Sequence, residues 1–154
     1  SLQLQRIGLA LGADVPIFVH GHAAFAEGVG ERFTDLVLPP AWYLVLVPAV
    51  AVPTPEIFRS TRLRRDTPAI LAGDWCPGLG RNDLEPVACA LYPEVRRHLE
   101  WLRRYGDARM SGSGACCFVA FGTEAAARTA MAALPADMRG FVAAGMDRHP
   151  LAMI

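Results

Sequence analysis

A chain of 154 residues, 53% of them hydrophobic and 19% charged, carries enough apolar material for a packed core, which excludes a disordered polymer. Fifteen basic and fifteen acidic residues cancel to a formal charge of zero, so the surplus of cations by which a nucleic-acid protein meets phosphates is missing. Every basic residue is Arg, so any step that needs a lysine must draw on groups outside these residues.

The chain opens on Leu2, Leu4, Ile7, Leu9 and Leu11, which read as the end of an amphipathic helix with no lead-in before it. GADVP at 12–16 follows as a turn at that helix end. Residues 17–19 and 23–26 read as short β-like runs, with Gly21, Gly28 and Gly30 at the turns, and 36–38 as a further short strand. Two prolines at 39 and 40 mark a domain junction.

WYLVLV at 42–47 is too short an apolar run for a helix and is expected to be a fully buried strand. Pro55 opens a short helix over 55–59, and residues 60–81, rich in Arg, Gly, Pro and Asp, read as a loop or broken helical segment. Asn82 and Glu85, three apart, have the spacing of a capping box. Leu84, Val87, Leu91, Val95, Leu99 and Leu102 then trace one helix face with a break at Tyr92 and Pro93. Arg96, Arg97, Arg103 and Arg104 are expected in solvent. Strands are expected at 108–110, 116–121 and 141–144, and a helix over 124–134 capped by Thr123. From residue 41 the order β-α-α-β-β-α-β suits a helix-covered, largely antiparallel sheet, an α+β fold.

Three short runs could carry chemistry. Asp14, at a turn among small and apolar residues, could act as a base or could hydrogen-bond the turn backbone. SGSGA at 111–115 has two glycines two apart, able to take positive φ and aim successive N–H groups at one anion; a tight turn is the plainer alternative. It is neither a Walker A loop nor GxGxxG. VPTPEIF at 52–58 offers a stiff segment with an aromatic on which a base could stack, unless Phe58 belongs to the core. His20 and His22 would share one strand face, but no third ligand lies near, so no metal site is expected. Cys76, Cys89, Cys116 and Cys117 lack CxxC spacing and read as buried free thiols. No apolar run reaches the roughly 18–20 residues of a membrane span, and no signal peptide is evident. A cytoplasmic setting is therefore expected, with neither membrane nor nucleic acid as a partner.

In order, LGADVPIFVHGHAAFAEGVGE at 11–31, PTPEIF at 53–58, ND at 82–83 and SGSGAC at 111–116 resemble the 4-diphosphocytidyl-2-C-methyl-D-erythritol kinases of the GHMP superfamily. The resemblance implies ATP-dependent phosphorylation of the 2-hydroxyl of a cytidine diphosphate sugar-alcohol in non-mevalonate isoprenoid biosynthesis, with ATP and Mg2+ as its cofactors. It places the catalytic aspartate on Asp14 and the cytosine-stacking ring on Phe58, with Thr54 and Pro55 lining the same pocket. Gly112, Ser113 and Gly114 match the motif that supports the phosphate site, and Asn82 and Asp83 match a pair read as a helix start. Residues 1–40 would be the tail of a ribosomal-S5-like, ATP-binding N-terminal domain, and 41–154 the ferredoxin-like C-terminal domain. The glycine-rich ATP loop and the lysine of such enzymes are absent, so the chain is expected to be a fragment whose partner is the missing N-terminal segment. Alternatives are another GHMP small-molecule kinase, or a non-catalytic ferredoxin-like domain that binds an effector.

Overall fold

A computed structural model of the chain describes residues 2–149. They form two compact units: one of residues 2–40, 71–77 and 146–149, the other of 41–70 and 78–145.

In the first unit, α1 (Leu2–Leu11) packs on α2 (Val15–His20). Gly8 lets the two helices approach, because a Cβ there would lie 2.9 Å from Val15 Cγ1 and one of the two would have to shift. The β-like run expected at 17–19 is thus helical. Pro16 sits in the first turn, and Gly21 stops the helix with φ 78° while donating its N–H to Ile17 O at 3.0 Å. Packing against α1 outweighs the strand preference of Ile17 and Val19. β1 (Ala24–Glu27) and β2 (Arg32–Asp35) form an antiparallel hairpin. Its four-residue turn is braced by Val29 N–H donating to the Glu31 carboxylate at 2.7 Å. The strand expected at 36–38 therefore falls earlier, since the pairing starts directly after the turn, and Val37 stands 94% exposed. Residues 146–149 return to this unit: Ala23 N–H donates to Asp147 O at 2.8 Å and His149 N–H to Gly21 O at 2.9 Å.

The second unit is a four-stranded antiparallel sheet of β3 (Trp42–Leu46), β4 (Arg109–Met110), β5 (Cys117–Phe121) and β6 (Gly140–Ala144). The strand order β4-β5-β3-β6, with helices in the crossovers, is the ferredoxin-like arrangement. Leu44 lies opposite both Val119 and Val142, so one row of side chains runs across the sheet into the core. Leu44 and Leu46 are fully buried, whereas Tyr43 and Val45 are only half-buried and Phe141 is 50% exposed. The strand at 42–46 is thus buried on one face, not on both, because the helices cover one face.

Four helices complete the unit. α3 (Thr54–Arg59) precedes α4 (Glu85–Leu91) and α5 (Pro93–Leu102), which break at Tyr92 and Pro93 as the proline requires. Val87, Val95, Leu99 and Leu102 reach the core, but Leu91 at the break is 43% exposed. α6 (Glu124–Ala132) is capped by Thr123, whose hydroxyl accepts from Ala126 N–H at 3.2 Å. Among the cysteines only Cys117 is buried, and Cys76 is exposed. Burial pushes the Cys117 thiol up to about 12, which keeps it protonated and unreactive. Among the described residues no helix is long and apolar enough to cross a membrane.

Candidate functional site

β4 and β5 are joined by the glycine loop. Ser111 N–H donates to Cys116 O at 2.9 Å and Gly114 N–H to Ser111 O at 3.0 Å, closing it as a tight double turn. Gly112 (φ 55°) and Gly114 (φ 101°) take the left-handed conformations that the motif leads one to expect. At Gly114 space is short as well, since a Cβ would meet Met110 Sδ at 3.0 Å and Val52 Cγ2 at 3.6 Å. Among the described residues the amides of Gly112 and Ser113 donate to no protein group. Free N–H groups beside positive-φ glycines can receive an anion.

The segment at 52–58 runs beside this loop. Pro53 leads into α3, and the hydroxyls of Thr54 and Ser113 lie 2.7 Å apart in a hydrogen bond. Two runs separated by 59 residues thus meet. In the helix that follows, Ile57 takes the core position at 0% exposure while Phe58 is 49% exposed. The core alternative for Phe58 is therefore excluded. Pro55 lines a groove of about 710 Å3 with Pro53, Glu56, Arg59, Arg62 and Leu91; Phe58 does not line it. The Tyr92 hydroxyl donates to Glu56 at 2.5 Å, and that bond raises the phenol above its usual range.

Asp14 stands in the first unit, between α1 and α2. Its carboxylate is exposed and makes no side-chain cap bond, so the turn-partner alternative is not what the molecule adopts. The turn is closed by backbone instead, Gly12 N–H to Gly8 O and Val15 N–H to Gly12 O, each at 3.1 Å. Gly30 approaches closely, since a Cβ on it would lie 3.2 Å from Ala13 O. The EGVGE turn of the motif therefore packs against the residue before Asp14. His20, at the end of a helix rather than on a strand, pairs with Asp35 at 2.6 Å and stacks on Phe33. Among the described residues no three His, Cys, Asp or Glu side chains gather as a metal site.

The box expected at 82–85 does not form. α4 starts at Glu85, and Asn82 lies before it as the acceptor of Leu84 N–H at 3.0 Å. The Asn82 amide also donates to Met110 O at 3.0 Å and Gly112 O at 2.7 Å. Glu85 accepts from Met110 N–H at 3.0 Å and from Arg103 at 2.7 Å, so Arg103 is not merely solvated. Next to Asn82, a Thr67 hydrogen bond and the Arg81 guanidinium hold the Asp83 carboxyl below its usual range. The spacing N-D-x-E was a visible signal, but a cap was the wrong partner for it.

Residues 67–140 match the family model described as GHMP kinases C terminal. A 4-diphosphocytidyl-2-C-methyl-D-erythritol kinase of Dechloromonas aromatica is 55% identical over 153 residues, 99% of this chain and 56% of that protein. One of the same name from Thiobacillus denitrificans is 56% identical over 149 residues, 97% of this chain and 54% of that protein. The chain is thus similar to GHMP kinases. A crystal structure of 4-(cytidine 5'-diphospho)-2C-methyl-D-erythritol kinase matches it with a TM-score of 0.75 at 34% identity, covering 92% of this chain and 56% of that one. The chain spans about half the length of the curated relatives it matches.

Proposed function

We propose that the complete enzyme containing this chain transfers the γ-phosphoryl group of ATP to the 2-hydroxyl of 4-diphosphocytidyl-2-C-methyl-D-erythritol, a step toward isoprenoid precursors by the non-mevalonate route. The observation that carries this reading is 55% identity, along 99% of the chain, to a kinase named for that substrate. In this reading residues 1–40, joined by 71–77 and 146–149, end an ATP-binding domain, and the sheet that starts after residue 41 belongs to the second domain. A cytoplasmic setting goes with such small, charged substrates.

Phosphoryl transfer asks a protein mainly for positioning and for neutralising charge. Asp14, exposed and unpaired, takes the proton of the attacking hydroxyl. The free amides of Gly112 and Ser113, with Gly114 holding the turn, support the phosphates. Thr54, Pro55 and the exposed ring of Phe58 serve the cytidyl end, where a base can stack. Magnesium, which ATP use implies, would neutralise charge on the phosphates.

The test is the complete enzyme, incubated with ATP and the cytidyl substrate and followed by the mass of one added phosphate. Asp14→Asn removes the base and leaves the shape, so kcat falls about 10²–10⁴-fold while substrate binding holds. Unchanged kcat in that variant removes Asp14 from the mechanism, and failure of the wild type to phosphorylate overturns the reading.

A further inference from the structure

We propose that Asn82 and Glu85 are positioning residues for the phosphate loop at 111–115, beyond their place before α4. The inference rests on the reading of that loop as the phosphate cradle. Met110 lies on β4, the edge strand of the sheet. Its N–H goes to Glu85 and its C=O to Asn82, at 3.0 Å each, so two side chains take the part of a missing neighbour strand. Asn82 reaches further, to Gly112 O at 2.7 Å, inside the loop. One amide thus uses one donor on β4, the other on the loop and its oxygen as acceptor for Leu84 N–H. Glu85 is fixed in turn by Arg103.

The consequence is local. Gly112 and Gly114 could each take many conformations, and a loop of SGSG composition loses much freedom on ordering. Holding the Met110 and Gly112 carbonyls from one side turns the Gly112 and Ser113 amides into a pre-set pair of donors. Preorganised donors bind an anion without the cost of ordering them at that moment.

A single substitution separates this role from that of a helix start. Asn82→Asp keeps the acceptor for Leu84 N–H, and Asp is among the best residues for that place. It loses both donations and puts a carboxylate against two carbonyls. The complete enzyme is titrated calorimetrically with the β,γ-imido analogue of ATP and, separately, with the cytidyl substrate, beside a thermal melt. The expected result is nucleotide affinity about tenfold weaker with cytidyl affinity close to wild type, and a melting midpoint somewhat lowered, because the two hydrogen bonds exist without ligand. Asn82→Ala, which adds no charge but also gives up the acceptor of Leu84 N–H, serves if the Asp variant does not fold; its midpoint falls further, and the same split between the two ligands is expected. Wild-type nucleotide affinity in Asn82→Asp overturns the proposal, and so does equal weakening of both ligands with a lowered midpoint. A wild type that does not bind the analogue at all overturns the kinase reading and this inference with it. A binding wild type with an equally competent Asn82→Asp overturns this inference alone.

Discussion

Adjacent residues of α3 divide between two tasks. Ile57 is fully buried among core side chains and Phe58 is half exposed, a difference made by the 100° step of the helix. Phe58→Ala in the complete enzyme should leave stability within about 0.5 kcal/mol, as for most surface changes. It should weaken the cytidyl substrate by about 1–3 kcal/mol, the usual worth of a base stacked on a ring, and spare ATP. Ile57→Ala should do the reverse, costing about 2–5 kcal/mol of stability. Calorimetric titration with each ligand and a denaturant melt of both variants check the pair. Loss of stability in Phe58→Ala with no ligand effect would contradict the stacking role.

Strand β3 sits between β5 and β6, and everything in the second unit depends on it. Leu44 is opposed on both sides by apolar residues of neighbouring strands and is shut from water. Leu44→Ala should therefore cost about 2–5 kcal/mol through lost burial and the cavity left behind. Phe141→Ser on β6, at a half-exposed position, should cost far less. Urea midpoints of the two variants decide this, and equal losses would mean that the outer face is buried too. The helices teach a related lesson. The 3.6-residue spacing at 87–102 and the cap at Thr123 were legible because they depend on neighbours within one turn. The helix at 15–20 was not, because its reason is a partner helix rather than its own composition.

Across the whole molecule, the chain spans 56% of a relative 55% identical to it and contains no lysine. Phosphoryl transfer needs groups that hold and neutralise three phosphates, and on the proposed reading the residues here supply one loop of amides and one carboxylate. The 154-residue chain made by itself should thus show no ATP-dependent phosphorylation of the cytidyl substrate, whereas the complete enzyme should. A radiolabelled-phosphate transfer assay on the isolated chain checks this; turnover above background would mean that these residues suffice.

Asp14, Phe58 and the 111–115 loop were candidates by residue type, each beside a plainer alternative, and it was the resemblance of their short contiguous runs that singled them out. The β and α segments from residue 41 followed from period and from proline and glycine punctuation, both local properties. Tertiary structure alone decided which groups meet. Thr54 finds Ser113 across 59 residues, and Asn82 leaves the expected box for carbonyls 28 and 30 residues away. Polar side chains form whichever hydrogen bonds packing brings within about 3 Å, and packing is set by burial of the whole apolar pattern. Position along the chain therefore names the residue, while its partner is known only once the sheet has formed.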